Sequence, residues 1–575
     1  MRRFELYGSL LMVALALFAC GAPTSPPQDR RDAGPTQKPI PLSSLPAIDA
    51  KAMMDHITVL ASDEYEGRAP GTKGEELSVA YLTAQLKAMG LKPGSADGTY
   101  VQRVPLVGTT VQGKPILTFR KGPRRQDLAW RDDYVAWTKR MTDSVAVKGS
   151  EMVFVGYGVQ APEFTWDDYK GIDLKGKTMV VLVGDPPVPD SANPQVLDER
   201  VFGGRAMTYY GRWSYKYDMG AKMGAAAVLI VHETEPAAYP FSVVQSRASE
   251  QFDLVAPDKN MGRAAVEGWI TLDQAKKLFA MAGKDFDGLK KAAVTREFKP
   301  VPLGTTAEVT LANSLRTIDS SNVVATLEGR DPVLKNEFVI YTAHWDHYGI
   351  GEPVGGDRVY NGALDNASGV GGILEVARAF TRVKPAPRRS VVFLFVTAEE
   401  QGLLGSDYYA TNPIHPLVKT VAVVNVDALN MWGRTKDMVV VGLGYSDLDD
   451  YMQEAAAEQG RVLKPDPTPE KGSYYRSDHF PFARQGVPAL NAGGGVEFIG
   501  RPDGWGIKQL EEFTRNDYHK PSDDIRPDWT TEGALEDLQL YLAVGYRVAN
   551  ADALPQWKPG SEFKARRDAQ FLGVK

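Results

Sequence analysis

Residues 341–349 read Y-T-A-H-W-D-H-Y-G, and they place three side chains that can bind a metal or move a proton within four positions. These side chains are His344, Asp346 and His347. The stretch continues an apolar run, F-V-I-Y, that begins at Phe338, and such a run is typical of a buried strand. Because functional groups collect beyond the carboxyl ends of strands in an open parallel sheet, this stretch predicts a functional sheet edge.

Apolar runs alternate with helical patterns along the second half of the chain. The strand-like runs are N-V-V-A-T-L, F-V-I-Y-T-A, S-V-V-F-L-F-V-T, T-V-A-V-V-N-V and M-V-V-V-G-L. Segments between them, such as V-G-G-I-L-E-V-A-R-A-F, carry apolar residues at helical spacing. Near-continuous apolar strands that alternate with helices favour an α/β fold with a mixed, mostly parallel sheet flanked by helices.

The pattern of apolar residues and turns along the sequence changes between about residues 141 and 300. Short apolar strands and glycine-rich turns, such as E-M-V-F-V-G-Y-G and A-A-A-V-L-I-V-H, replace the strand–helix alternation there. Residues 50–90, in contrast, show helical spacing. We therefore predict an α/β domain built from residues 46–140 and 301–555, a β-rich domain inserted at residues 141–300, and a C-terminal tail at residues 556–575.

The N-terminus predicts export. A short positive region, Met1-Arg2-Arg3, precedes an apolar stretch that is too short for a comfortable membrane span. The stretch ends in L-F-A-C at Cys20 and resembles a bacterial lipobox, which implies a signal peptide over residues 1–20 and a lipid on Cys20. Residues 21–45 are rich in proline and polar residues, and they predict a disordered tether. We expect a cell-envelope lipoprotein, with the lipid as its sole membrane contact.

Composition excludes several functions. The net charge of −6 gives no basic surface for nucleic acid, and no internal run approaches the roughly 18 apolar residues of a membrane span. Cys20 is the one cysteine, so disulfides are absent. Residues 171–178 match the phosphate-binding loop pattern, but a strand rather than a helix follows them. We read this match as a turn leading into a strand and reject nucleotide binding.

Acidic residues follow several of the predicted strands. Glu399 and Glu400 come after the run S-V-V-F-L-F-V-T, Asp427 comes after T-V-A-V-V-N-V, and Asp365 lies just before a helix. Each residue alone has an ordinary explanation, such as a helix cap or a solvated helix start. Together with His344 they would place several acids at one sheet edge, where a bound cation removes their mutual repulsion.

The order of these motifs resembles the M28 family of di-zinc peptidases. The pieces A-H-x-D, G-x-x-D-N-A-S-G, E-E-x-G, N-V-D and Y-H-K-P-S-D occur in that order. The resemblance covers the residues assigned to the α/β domain. It implies a zinc-exopeptidase fold and peptide substrates, and it identifies the inserted segment as similar to the protease-associated domain that many such enzymes carry.

The resemblance also implies the site residues. Two zinc ions, or cobalt or manganese in their place, would be held by a set in which Asp365 bridges both: His344 and Asp427 at one metal, and Glu400 and His519 at the other. Glu399 would be the general base, with Asp346 orienting His344.

The same resemblance gives a role to one tyrosine and none to two nearby histidines. Tyr474, in Y-Y-R-S-D-H, would hydrogen-bond the developing oxyanion, although the neighbouring Tyr475 leaves the assignment open by one position. His479 is not expected to be a ligand. His347 has no matching role, and we expect it to be a loop residue near the site. His56, His232 and His415 have ordinary structural explanations.

We therefore expect an exported, membrane-anchored zinc exopeptidase, most plausibly an aminopeptidase. The alternatives within enzymes are an M20-like carboxypeptidase or deacylase and a glutaminyl-cyclase-like acyltransferase that binds one zinc. A receptor-like binding ectodomain is the alternative outside enzymes, and such a protein should lack the ligands that this sequence retains. Oligomeric state and side-chain preference do not follow from the sequence.

Overall fold

The computed structural model describes residues 40–246 and 250–572. The predicted signal peptide, Cys20 and most of the predicted tether lie outside the described residues. The helices are α1 Ala50–Leu60, α2 Lys73–Ala88, α3 Trp213–Lys222, α4 Thr234–Ala237, α5 Phe241–Ser246, α6 Leu272–Ala282, α7 Phe286–Ala292, α8 Gly369–Arg382, α9 Leu404–Thr411, α10 Leu448–Glu458, α11 His479–Arg484, α12 Trp505–Asn516, α13 Glu532–Asn550 and α14 Lys564–Leu572. In the described part of the chain, no helix combines the length and apolar character that a membrane span requires.

The strands follow the apolar runs of the sequence. They are β1 Lys92–Pro93, β2 Val101–Lys121, β3 Arg124–Asp127, β4 Tyr134–Trp137, β5 Ser144–Phe154, β6 Gln160–Ala161, β7 Trp166–Asp167, β8 Thr178–Leu182, β9 Ala227–His232, β10 Glu250–Leu254, β11 Val266–Thr271, β12 Val301–Leu327, β13 Phe338–His344, β14 Gly349–Val354, β15 Asp357–Tyr360, β16 Ser390–Val396, β17 Thr420–Asn425, β18 Asp437–Val441, β19 Val462–Pro465 and β20 Ala489–Gly494.

The C-terminal half of the sheet, formed by the end of β12 and by β13 and β16–β20, is mostly parallel, as predicted. β16, β13, β17 and β20 lie side by side in parallel, while β12 and β18 pair in antiparallel orientation at either side of them. Every residue of β16 and β17 is buried, because helices cover both faces of this part of the sheet. The apolar residues of α1, α8 and α13 pack in one core with β13 and β16.

Within the inserted segment, β5, β8, β9 and β11 pair in parallel. β8 begins at Thr178, so the phosphate-loop-like residues 171–178 do lead into a strand. The insert also contains α3, α6 and α7, which its strand-rich sequence did not predict. β4, which precedes the predicted boundary at residue 140, pairs with β11 inside this sheet.

The long strand β12 joins the two parts of the sheet. Its first residues pair with β5 of the insert, its middle pairs with β2, and its end, from Val323 to Leu327, pairs with β16 of the C-terminal half. The sheet is therefore continuous across the predicted boundary at residue 300. The C-terminal residues predicted as a tail include α14, whose Arg567 is buried and donates hydrogen bonds to the carbonyls of Leu417 and Thr420.

Candidate metal centre and active site

Parallel strand ends bring the candidate residues to one edge of the sheet. His344 is the last residue of β13 and lies level with Val396, the last residue of β16. Glu399 and Glu400 follow β16, and Asp427 follows β17. The structure therefore brings these predicted site residues to the carboxyl edge of the parallel strands.

Asp365 lies at the centre of the group. Its Oδ1 is 3.2 Å from Nε2 of His344, and its Oδ2 is 3.3 Å from Nε2 of His519. The turn that carries it is held by Asp523, whose carboxylate accepts hydrogen bonds from the backbone N–H groups of Leu364 and Asp365 at 2.9 and 3.0 Å. One carboxylate therefore faces two imidazoles, as a bridging ligand must.

The first donor group consists of His344, Asp365 and Asp427. Nε2 of His344 is 3.2 Å from Oδ1 of Asp427, and one ligand atom from each of the three residues lies within 4.8 Å of the others. The second oxygen of Asp427 accepts a hydrogen bond of 2.6 Å from the hydroxyl of Ser477, which fixes the orientation of the carboxylate.

The second donor group consists of Asp365, Glu400 and His519. Oε2 of Glu400 is 3.1 Å from Nε2 of His519. The ring of His519 is positioned on both sides, because Nδ1 lies 3.0 Å from the hydroxyl of Tyr348 and the ring of Tyr518 stacks on it with centroids 3.6 Å apart. The loop after α12 thus presents His519 to the same carboxylates that β13 and β16 supply.

Asp346 has a broader role than the resemblance implied. Nδ1 of His344 lies 3.1 Å from the backbone carbonyl of Asp346 and 3.8 Å from its carboxylate. The carboxylate accepts a hydrogen bond of 3.0 Å from the backbone N–H of Glu399. Burial raises the pKa of Asp346 to about 8, although the charge of His344 opposes this rise. Asp346 therefore ties the turn of Glu399 to the strand end that bears His344.

The charges in the site act strongly on one another. Desolvation, together with the charges of Glu400 and Asp427, raises the pKa of Glu399 well above its usual range. Burial alone would raise the pKa of Glu400, but the positive charges of His519 and His347 hold it at about 2. Burial would lower the pKa of His344, but the neighbouring carboxylates, Glu399 foremost, raise it well above its usual range.

These residues fit divalent metal ions. Imidazole nitrogens and carboxylate oxygens are the donors that zinc takes in catalytic sites. Nε2 of His519 and Oε1 of Glu400 are buried and make no hydrogen bond to any described residue, which is costly for polar atoms unless another group satisfies them. A cation between the carboxylates would satisfy these atoms and remove the repulsion between the acids.

Tyr474 is not brought to the cleft. Its ring lies in an aromatic cluster, stacked with Phe563 and edge-on to His479, and only 6% of the residue is exposed. Its neighbour Tyr475 lines the cleft but its hydroxyl donates to Glu562. The role of Tyr474 as an oxyanion donor stays a prediction without geometric support. His479 lies away from both donor groups.

The remaining histidines have structural surroundings. His56 lies in α1 with Nε2 3.4 Å from the carboxylate of Glu375. His232 ends β9 and packs against the aromatic ring of Trp269. His415 stacks on Phe338.

The sequence did not predict Arg68, and it placed His347 near the site without predicting its contact with Glu400. His347 is fully buried, and its Nδ1 lies 2.7 Å from Oε1 of Glu400. Loop residues have no periodicity that would predict the direction of such a side chain. Arg68 is also buried and donates to the carbonyl of Trp345 at 2.8 Å and to those of Asn361 and Gly362 at 2.5 and 2.9 Å.

A cleft opens over these residues between the C-terminal half of the sheet and the insert. On the side of the C-terminal half it is lined by Tyr348, Glu399, Glu400, Arg476 and His519, among others. The insert lines it with Tyr209, Arg212, Trp213, Asp253 and Arg263, among others. The ring of Tyr209 packs on Phe480 with centroids 5.1 Å apart, so the insert rests directly on the segment that follows Ser477.

Comparison with known proteins agrees with this geometry. Residues 322–543, less than half of the chain, match the model of peptidase family M28. The described donor groups and Glu399 all lie inside the matched region. The match agrees with the motif resemblance over this region.

Individual relatives match over shorter stretches. Aminopeptidase NAALADL1 of Mus musculus is 34% identical over 131 residues, which are 22% of this chain and 16% of the relative. A probable zinc metalloprotease of Pyrenophora teres f. teres (strain 0-1) is 35% identical over 120 residues, 21% of this chain and 24% of the relative. The chain thus spans at most about a quarter of the length of these two relatives. The solved aminopeptidase from Aneurinibacillus sp. strain AM-1 shares 21% identity, with a TM-score of 0.48 over 88% of this chain and 96% of that chain.

Proposed function

We propose that the chain is a metal-dependent exopeptidase, an aminopeptidase, that holds two zinc ions. The observation that carries the proposal is the bridging position of Asp365, whose two oxygens face His344 and His519 at 3.2 and 3.3 Å. Asp427 and Glu400 would complete the two positions. The match to a peptidase family and the zinc metalloprotease relative support this reading.

The residues would divide the work of hydrolysis. Bound metal would polarise the scissile carbonyl and lower the pKa of the attacking water. Glu399 lines the cleft next to the ligand Glu400, so its carboxylate can take the proton from that water and return it to the leaving amine. The hydrogen bond from the N–H of Glu399 to Asp346 fixes the turn from which this side chain extends.

The preference for an amino terminus rests on the name of the Mus musculus relative, an aminopeptidase. Arg476 also lines the cleft and could instead attract a substrate carboxylate, so the carboxypeptidase alternative has to be tested directly.

A substrate screen tests the proposal. Purified protein is assayed with free and N-acetylated aminoacyl p-nitroanilides and with peptides blocked at either end, before and after chelation and zinc return. We expect cleavage of the free aminoacyl substrates, loss of activity on chelation and recovery with zinc. Cleavage confined to N-blocked peptides from the carboxyl end would replace the aminopeptidase with a carboxypeptidase, and absence of any hydrolysis would favour a binding protein.

We further propose that the chain is exported and anchored by a lipid on Cys20, and that the insert is a protease-associated domain that contributes to peptide binding. The signal-like residues 1–20 support the first point, and the cleft residues Trp213 and Arg263 support the second. Fractionation checks the anchor, because Cys20→Ala should move the chain out of the membrane pellet. A wild-type chain that is already soluble would remove the anchor from the proposal.

A further inference from the structure

His347 is a buried polar side chain that the two-metal scheme above does not use. None of its surface is exposed. Its Nδ1 lies only 2.7 Å from Oε1 of Glu400. Even so, the two ring nitrogens of His347 and this oxygen of Glu400 all lack a hydrogen-bond partner of acceptable geometry among the described residues. Leaving buried polar atoms unpaired is costly, so the arrangement calls for a further partner.

The surroundings point to a shared partner between His347 and the carboxylates. One ligand atom each from His347, Asp365 and Glu400 lies within 4.8 Å of the other two. Glu400 directs its two oxygens to two different imidazoles, Oε1 to His347 and Oε2 to His519. Close approach without hydrogen-bond geometry is what donors show when they converge on a third point.

We propose that His347 is a fourth protein ligand of the second metal position, beside Asp365, Glu400 and His519. This inference rests on the metal centre of the proposed function. The donor set would be two imidazoles and two carboxylates, which suits zinc. Nδ1 is the donor atom that the 2.7 Å contact with Glu400 indicates.

The ring of His347 is held in this orientation by packing. A Cβ added to Gly362, where φ is +56°, would lie 2.6 Å from Cγ and Cδ2 of His347. Tyr348 packs edge-on against the ring with centroids 5.2 Å apart, and His519 lies similarly at 5.9 Å. The imidazole therefore cannot turn away from Glu400 without displacing neighbours, and little order has to be gained on binding a metal.

The proposal makes the two metal positions unequal. The first has three protein ligands, His344, Asp365 and Asp427, whereas the second has four. Zinc positions closed by four protein donors are typically structural, and positions with three keep a place for water or substrate. We therefore expect the second position to hold zinc more tightly and the first to exchange it during chelation.

Zinc binding to three proteins tests the assignment. Wild type, His347→Ala and His347→Gln are stripped with a chelator and titrated with zinc against a chromophoric competitor, and bound zinc is counted by elemental analysis. The matched control is His56→Gln, which also alters a buried histidine next to a glutamate, Glu375, but outside the site. We expect two zinc ions in wild type and control, and a loss of at least 10-fold in affinity for the tighter ion in both His347 variants.

Cobalt spectra and folding complete the experiment. Cobalt-loaded wild type and His56→Gln should share one visible absorption spectrum, and the His347 variants should differ because an imidazole donor is lost. Thermal unfolding in chelator shows whether each variant folds, and His347→Gln keeps a polar side chain of similar size should His347→Ala fail. Unchanged zinc affinity in both variants, or lower affinity with an unchanged cobalt spectrum, overturns the ligand assignment. Wild type that binds fewer than two ions contradicts the proposed function itself.

Discussion

Glu399 is the residue on which the proposed chemistry depends most. Its carboxyl lines the cleft, and its backbone is tied to Asp346. Glu399→Gln keeps the size of the side chain but cannot accept the proton. We expect kcat to fall by about 10²–10⁴-fold, the range typical of a lost general base, while the zinc content stays at the wild-type value. Steady-state kinetics and elemental analysis check both.

The matched control for this prediction is Glu352→Gln. Glu352 is an exposed glutamate on strand β14, outside both donor groups, so its activity should equal that of wild type. Glu399→Gln with more than a tenth of wild-type kcat would rule out the base assignment. Loss of zinc in this variant would instead indicate that Glu399 acts as a ligand.

Arg68 supports the site without touching the donor atoms. Its guanidinium donates to the carbonyls of Trp345, Asn361 and Gly362 and to that of Leu60 at 2.7 Å. It thus joins the loop of His344 to the turn that carries Asp365. Arg68 reaches these four carbonyls from three nitrogens, whereas lysine carries all its donors on a single nitrogen and cannot span the same positions.

We expect Arg68→Lys to lower the free energy of unfolding by about 3 kcal/mol or more, because several buried carbonyls lose their donor. Zinc affinity should fall as well, since the loops that hold the ligands are no longer joined. Arg103→Lys is the control, because Arg103 is exposed and paired only with Asp319 in the contacts seen. A wild-type melting temperature for Arg68→Lys would contradict this account.

Whether the sequence could predict a residue of the site depended on whether the direction of its side chain follows from a strand. His344, Glu400 and Asp427 were predictable because each follows a recognisable apolar strand, and parallel strands end at one edge. His347 lies in a loop and Arg68 ends a short 3₁₀ helix, so the direction of each side chain is set by packing against distant residues such as Gly362 and Asn361. Tyr474 and Tyr475 are adjacent, and pattern matching alone could not decide which of them faces the cleft.

Among the elements, β13 and α13 depend on close approach at one glycine. A Cβ at Gly545 of α13 would lie 1.8 Å from the hydroxyl oxygen of Tyr341, which donates to the carbonyl of Tyr541 at 2.7 Å. Tyr341 belongs to β13, the strand that ends in His344. The spacing between this helix and the strand that carries the ligand is therefore set by the absence of one methyl group.

We expect Gly545→Ala to destabilise the chain by about 1–3 kcal/mol through overpacking, a change of opposite sign to the gain that alanine usually brings to a helix. Gly493→Ala is the control, because a Cβ there meets no atom within 4 Å. Chemical denaturation of both variants measures the difference. Equal stability would mean that α13 can move away from β13 without cost.

The strands with continuous apolar runs were predicted with their correct type. The long strand β2 was not predicted, and β12 was predicted only at its end, in the run N-V-V-A-T-L. Both strands contain polar and charged residues over most of their length, because they pair with each other and expose part of their surface. Strands of this length depend on a partner far along the chain, and local composition carries no record of that partner. The helices of the insert were hidden for a similar reason, since its glycine-rich strands dominate the local pattern.

At the scale of the whole molecule, buried acids of the insert make stability depend on pH. Asp168 is 1% exposed and accepts hydrogen bonds from the backbone N–H of Val159 and the indole of Trp166. Burial raises its pKa from 3.8 to about 7. Between these two pKa values, the folded chain therefore keeps a proton on Asp168 that the unfolded chain has already released.

A raised carboxyl pKa favours folding most at low pH, and this contribution is lost as pH rises from about 4 to about 7. The shift corresponds to about 4 kcal/mol. We expect the stability of wild type, relative to Asp168→Asn, to fall by an amount of this order between pH 4 and 8 in chelator. Denaturation curves at several pH values test this, and parallel pH profiles for the two proteins would remove Asp168 as the cause.

The strand shared by the two halves bears on how a peptide reaches the site. β12 is paired in the insert at one end and with β16 at the other, and the insert also rests on Phe480 through Tyr209. Because the two sides of the cleft share the extended strand β12, they cannot move apart without breaking backbone hydrogen bonds between this strand and its neighbours. We expect the fixed width of the entrance to act as a sieve, which admits unfolded chain ends and turns away folded proteins.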